Sequence, residues 1–492
     1  MKFWRKPIVF LIAIFMLCSS FLIPTQTSVE ASTSYASLKK QIDNVLTDNR
    51  MKNATSSITI RKASDGKVIY KYYADRGVTP ASTMKLLTGA AALETLGENY
   101  RFSTTVSTDG KIKKGVLKGN LYLKGHGDPT LLKRNFDSFA TALSNQGIKK
   151  ISGNLYGDDT WYDNVRLSPG LLPEDEPYYY GAPISALTVS PNADYDTGSV
   201  IVDAKPSVNG KPTQVTLTPK TGVLKIVNQS KTVPKGSKNT LKITRKVGTN
   251  QVIVSGNAPI GTSGKKEWIS VTDPTMYALD IFKRALTDKG ITFVTYPTIS
   301  RGKVPKNVKV LASRRSMPLK DILIPYMKLS NNTHAEMLAK EMGRIMYGKG
   351  SWDSGTRVMR EYIDSIGLDS KKWRFEDASG LSYSNKLTSN QLSEFLYIIQ
   401  KEPWYKSYYK SLPVSGSPNR LNGGTLRYRL NAAPAAGNVF AKTGSLKNIK
   451  ALSGYAKSKS GEVFIFTILT ENNNATTVPS IDKIVTAITN HQ

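Results

Sequence analysis

The chain has 492 residues, 39% of them hydrophobic, one cysteine and a formal net charge of +31. That length exceeds one ordinary domain and supplies enough apolar residues for several cores. One cysteine excludes a disulfide framework and a cysteine metal site, and the excess of cations predicts an anionic partner.

Lys2, Arg5 and Lys6 precede an apolar run from Pro7 to Ile23, and Val29-Glu30-Ala31 offers a small-residue cleavage site. Residues 1–31 are read as a signal peptide, which makes the protein secreted and extracytoplasmic. An uncleaved anchor helix is the competing reading. Cleavage would remove Cys18 and with it any thiol nucleophile. Export excludes nucleic acid as the anionic partner. It leaves wall polymers, wall carboxylates and anionic lipid headgroups at the membrane surface.

Residues 57–73 read as a hairpin, with Ile58 and Ile60 alternating with polar residues and Ser64-Asp65-Gly66 at the turn. Ser82 to Leu96 follows as a helix that is apolar nearly all round, hence central and buried. From 102 to about 270, short alternating segments broken by Gly, Pro and Asn predict mostly β structure. Within it, residues 204–266 hold twelve Lys/Arg and no acid. Helical patterns return at 275–287, 319–345, 354–366 and 388–400. Strands are expected at 438–443, 450–457 and 462–470, then a helix at 478–489. Both ends of the chain should therefore build one α/β domain into which the β region is inserted.

Three short motifs stand in order: Ser82-Thr83-Met84-Lys85, Ser330-Asn331-Asn332 and Lys442-Thr443-Gly444. Each has decoys. S-x-x-K also begins at Ser37, Ser64, Ser263 and Ser407, and K-T-G recurs at Lys220. Only Ser82 opens an apolar helix, where the i, i+3 spacing puts Lys85 on the serine's face. A serine hydroxyl needs a base to become a nucleophile. With three histidines in the chain, and His334 read as local packing, the base falls to a lysine whose pKa burial would lower.

These motifs, with Lys124-Gly125-His126-Gly127-Asp128, Gly157-Asp158-Asp159-Thr160-Trp161, Asp377-Ala378-Ser379-Gly380-Leu381-Ser382 and Gly424-Thr425-Leu426, resemble the class C low-molecular-mass penicillin-binding proteins. These form the D-alanyl-D-alanine carboxypeptidase/endopeptidase family. The resemblance implies an α/β transpeptidase/serine β-lactamase-like domain, an antiparallel sheet with helices, carrying two inserted mainly-β domains. The expected boundaries are 32–101 and 272–492 for the transpeptidase-like domain. The first inserted domain would cover 102–187 with 253–271, and the second 188–252.

The resemblance also implies roles. Ser82 would attack a penultimate D-Ala carbonyl of a peptidoglycan stem peptide, Lys85 would take its proton, and Ser330 would relay a proton to the leaving amine. Asn332 would hold the substrate amide. Lys442, Thr443, Gly444 and Ser445 would bind the substrate carboxylate end. Asp175 and Tyr180, in an acidic, tyrosine-rich strip, would receive a side-chain ammonium. Ser445 and Tyr383 depart from residues expected at their places. β-Lactam antibiotics would acylate Ser82, and neither cofactor nor metal is implied. Two other readings remain: a β-lactamase or D-amino-acid esterase on the same trio, and a non-catalytic protein binding anionic wall or membrane surfaces through Lys111, Lys113, Lys114, Lys118 and the 204–266 segment.

Overall fold

The alternation at 57–73 becomes two antiparallel strands, Thr55–Lys62 and Val68–Tyr72, with Ile58 opposite Tyr72 and Ile60 opposite Tyr70. The computed structural model describes residues 35–492; the expected signal peptide and Cys18 lie outside the described residues. Thr55–Lys62 also pairs along its whole length with Val463–Glu471, from Thr55 opposite Glu471 to Lys62 opposite Phe464. The sheet continues through Ile449–Lys457 to an edge strand, Val439–Leu446. The two ends of the chain thus make one antiparallel sheet.

Because side chains alternate across a strand, this sheet buries both faces. Phe464, Phe466 and Ile468 meet Leu38 and Ile42 of the helix Ala36–Leu46 and Ile481, Ile484 and Ile488 of Val478–Asn490. Ile465 and Tyr455 face the opposite way, into a helical layer centred on Lys85–Leu96. That helix is apolar all round because other elements surround it. The expected 319–345 helix is interrupted. Leu319–Lys328 and Asn332–Tyr347 are separated by Ser330, whose φ of 64° cannot continue a right-handed helix.

The insertion opens and closes at one place. Ser103–Thr108 pairs with Lys309–Arg315, Arg315 lies opposite Ser103, and Ser316 N–H donates to Phe102 O. Residues 272–315, expected in the transpeptidase-like domain, therefore belong to the insertion. Phe282 of the helix Pro274–Asp288 packs on Phe136 and Phe139 of Lys133–Asn145, and Ile299–Arg301 pairs with Leu155–Gly157. The helix Lys133–Asn145 was itself hidden in a stretch read as mostly β, although Phe136, Phe139, Ala140 and Leu143 keep helical spacing.

Residues 253–271, expected to return to the first inserted unit, instead complete the second. Gln251–Pro259 runs between Lys225–Val233 and Lys242–Arg245, and Lys265–Ser270 pairs with Ser199–Lys205. One hydrophobic cluster runs through both sets of inserted strands, from Val106 and Leu123 to Val202, Ile243 and Val254. Strand partners are chosen by tertiary register, which local composition does not carry. Among the twelve cations of 204–266, Lys225, Lys231 and Lys242 are exposed, whereas Arg245 is buried and pairs with Glu176 at 3.1 Å.

The insertion is fastened to the Asn332–Tyr347 helix by a buried carboxylate. Glu341 accepts from Tyr162 Oη at 2.8 Å, from Trp161 Nε1 at 3.0 Å and from the Tyr100 hydroxyl. Glu341→Met leaves the partly buried Tyr100 hydroxyl and Trp161 Nε1 without an acceptor, while Tyr162 Oη keeps Met337 O at 3.1 Å, and is expected to lower stability by about 2 kcal/mol. The urea midpoint followed by tryptophan fluorescence measures this; an unchanged midpoint would show that the contact carries no stability.

Candidate active site

Ser82 lies in a single 3-10 turn, Ala81–Met84, that runs directly into the helix Lys85–Leu96. The turn is held in a strained shape: Ala81 has φ 46°, a left-handed conformation costly for a residue with a Cβ. Two glycines make room for it. A Cβ on Gly444 would sit 2.7 Å from Pro80 O, and one on Gly380 would sit 1.9 Å from Ala81 O. The motif strand and the 377–382 turn thus close on the serine from two sides.

Lys85 is wholly buried. Its Nζ donates to Ser82 Oγ at 3.0 Å, Asn332 Oδ1 at 2.7 Å and Ser379 O at 2.8 Å, which uses all three ammonium donors. Burial pushes its pKa down to about 7, against the opposing charges of Glu336 and Asp377. Those carboxylates shape the turn behind it. Glu336 accepts from Ala378 N and Ser379 N, and Asp377 from Gly380 N, Ser382 N and Asn385 Nδ2. Burial and then Glu336's charge push the Asp377 carboxyl up from the ordinary carboxylate range.

A second lysine–serine pair faces this one. Lys442, also buried, donates to Ser330 Oγ at 2.8 Å and to Thr443 O at 2.8 Å. Burial, then repulsion from Lys85, holds it well below the usual lysine range. Asn332 is gripped from both ends, because its Nδ2 donates to Tyr180 O at 2.9 Å while Oδ1 accepts from Lys85. One Nδ2 proton is left for a ligand.

A cleft of about 670 Å³ runs along this wall, lined by Ser82, Ser330, Asn332, Thr443 and Ser445. Asp175 and Tyr180 line the same cleft, 3.0 Å apart through the Tyr180 hydroxyl. Lys85, Lys442 and Gly444 stand in or behind the wall. All ten residues singled out from the sequence are therefore brought together. The segment bearing Asp175 is pinned by Arg245, which donates to Glu176 O at 2.9 Å and to its carboxylate.

The decoys go elsewhere: Ser64 and Lys67 are exposed at the hairpin turn, and Lys39, Lys40 and Lys220 are exposed. His334 is buried, its Nε2–H donates to Tyr195 O at 2.9 Å, and burial lowers its pKa to about 4. It is a packing residue. Among the described residues no group of three or more His, Cys, Asp or Glu is placed to hold a metal ion.

Sequence reasoning missed Ser379, Glu336 and Thr425 as parts of the site. Ser379 acts through its carbonyl, which no motif encodes. Glu336 could have been noticed as an acid on a buried helix. Thr425 accepts from Thr443 Oγ1 at 2.8 Å and lines the cleft.

The profile of the D-Ala-D-Ala carboxypeptidase 3 (S13) family matches residues 38–491. The chain is 38% identical over 429 residues to a D-alanyl-D-alanine carboxypeptidase of Actinomadura sp. (strain R39), covering 87% of this chain and 79% of that protein. It is 26% identical to the D-alanyl-D-alanine carboxypeptidase DacB of Haemophilus influenzae, over 92% of this chain and 90% of the other. The fold is similar to the crystal structure of penicillin binding protein 4 from H. influenzae. There the TM-score is 0.78 at 22% identity, with 91% of this chain and 98% of that one covered. A complex of that protein with a β-lactam matches with a TM-score of 0.73, again at 22% identity and with 91% and 98% covered.

Gly380 has φ 82° in addition to its contact with Ala81 O. Gly380→Ala is expected to cost at least about 2 kcal/mol in backbone strain and steric displacement. It should also lower D-Ala-D-Ala carboxypeptidase turnover at least about tenfold, because the 81–82 turn must move. Thermal unfolding and the turnover rate on a D-Ala-D-Ala peptide check both parts.

Proposed function

The chain belongs to the D-Ala-D-Ala carboxypeptidase 3 (S13) family and is a serine-type D-Ala-D-Ala carboxypeptidase acting on peptidoglycan, and from that premise we propose how its residues divide the work. Ser82 Oγ attacks the carbonyl of the penultimate D-Ala. Lys85, in its neutral form, takes the hydroxyl proton. The observation that carries this reading is the 3.0 Å contact between Ser82 Oγ and a buried Lys85 whose pKa lies near 7. A lysine in water would be protonated at neutral pH and unable to act as base.

The attack gives a tetrahedral oxyanion, stabilised by the backbone N–H groups of Ser82 and Ser445; one such donor is worth about 3 kcal/mol in other serine enzymes. Ser330, hydrogen-bonded to Lys442, passes a proton to the leaving D-Ala amine, and an acyl-serine remains. Water then cleaves that ester. Lys442, Thr443 and Ser445 hold the terminal carboxylate, whose charge would favour the protonated form of Lys442. Asn332 offers its free N–H to the substrate amide. Gly444 keeps the strand close to Pro80.

A β-lactam enters the same sequence and stalls as an acyl-enzyme. The same chemistry extends to D,D cross-links, so we assign a DD-endopeptidase activity as well. The basic-then-apolar start of the chain supports an extracytoplasmic location. The exposed lysines of 204–266 support binding to anionic wall polymers or the outer membrane surface through long-range attraction. Asp175, steadied by Tyr180, supports recognition of a side-chain ammonium on the stem peptide.

Two experiments test this. A fluorescent penicillin should label the wild type covalently and leave Ser82→Ala unlabelled, with the wild-type rate rising with pH through about 7 and levelling above it. No label on folded wild type would sink the acyl-serine reading, rapid release of label would favour a β-lactamase, and a flat rate profile would remove Lys85 as base. In the second, Asp175→Asn should lower kcat/KM about tenfold on a peptide with a free side-chain ammonium. The acetylated peptide should be unaffected; equal loss on both would remove Asp175 from ammonium recognition.

A further inference from the structure

The hairpin after the Lys-Thr-Gly motif places a third lysine beside the cleft. Val439–Leu446 and Ile449–Lys457 are joined by the two-residue turn Lys447-Asn448, with Asn448 left-handed at φ 57°. Such a turn fixes register, and it sets Lys450 directly opposite Ser445. Lys450 Nζ donates to Ser445 Oγ at 2.6 Å and reaches Leu446 O at 3.5 Å.

This cation lacks the usual reasons for being there. Its side chain is partly buried, and burial and the nearby charge of Arg429 both disfavour its protonated form. Arg429 is itself committed to Asp482, at 2.6 Å. Among the described residues no carboxylate pairs with Lys450. A partly desolvated ammonium without a counter-ion, bonded to a hydroxyl on the cleft wall, is poised for an anion that arrives with a ligand.

The hydrogen-bond inventory gives the direction. An ammonium has only donors, so Ser445 Oγ must accept from it. The one proton of Ser445 is then left to point elsewhere, and Ser445 lines the cleft.

We propose that Lys450 is a positioning residue for carboxylate recognition: it fixes Ser445 as a donor toward the substrate's terminal carboxylate and adds a positive charge behind that residue. This rests on the reading of Ser445 as a carboxylate-binding residue. The ligand class is a peptide or β-lactam with a free carboxylate next to the scissile amide. The expected signature is discrimination between charged and neutral forms of one ligand.

The test uses the full chain with Lys450→Met, which keeps the aliphatic stem, and Lys450→Arg, which keeps the charge. The second-order acylation rate of Ser82 is measured with a penicillin and with its methyl ester. In Lys450→Met the acid should react about tenfold more slowly, the ester should be unchanged, and Lys450→Arg should recover most of the loss. On a D-Ala-D-Ala peptide the Met variant should show its loss mainly in KM. An unchanged acid-to-ester ratio, or an equal loss on both, would overturn the assignment while labelled Ser82 kept the catalytic reading intact. Failure of the wild type to label would overturn both.

Discussion

A lysine ammonium removed from water costs several kcal/mol unless every donor is met. Of the three acceptors around Lys85, Ser82 lies on its own turn, but Asn332 at the start of another helix and the Ser379 carbonyl in a turn between elements are remote in sequence. Satisfying this one group therefore forces three segments to converge, and the point of convergence is Ser82. The same burial that makes Lys85 expensive brings its pKa near 7.

The surroundings follow from that requirement. Glu336 and Asp377 hold the backbone N–H groups of 378–382, so that the Ser379 carbonyl faces Lys85. Their negative charge also limits how far the lysine pKa falls. Left-handed backbone at Ala81 and Ser330 lifts both serines out of regular helix, and the close approach at Gly380 and Gly444 braces the strained turn. The lysine of each pair is buried and its serine lines the cleft. Both hydroxyls face the cleft while the lysines behind them stay dry.

The insertion belongs to the same design. It leaves and re-enters the helical layer through adjacent strands at Phe102 and Ser316, and its 159–196 stretch lies against the Asn332–Tyr347 helix. From there it supplies Asp175 and Tyr180 to the cleft and holds Asn332 through the Tyr180 carbonyl. Arg245 extends the support outward. A residue of the basic module, buried against Glu176, steadies the segment one residue from Asp175.

The sequence by itself determined the central buried helix, the hairpin, the C-terminal strands and the three motifs, because hydrophobic period and i, i+3 spacing are local properties. It also separated Ser82 from its decoys, since only one S-x-x-K opens an apolar helix. The tertiary structure alone decided that 272–315 and 253–271 pair within the insertion, because a strand's partner is set by register across the sheet. It likewise decided the break at Ser330, the Ser379 carbonyl under Lys85 and the pairing of Lys450 with Ser445. Each depends on backbone conformation or on a neighbour remote in sequence or across a turn, and residue identity does not specify these until the chain has closed on itself.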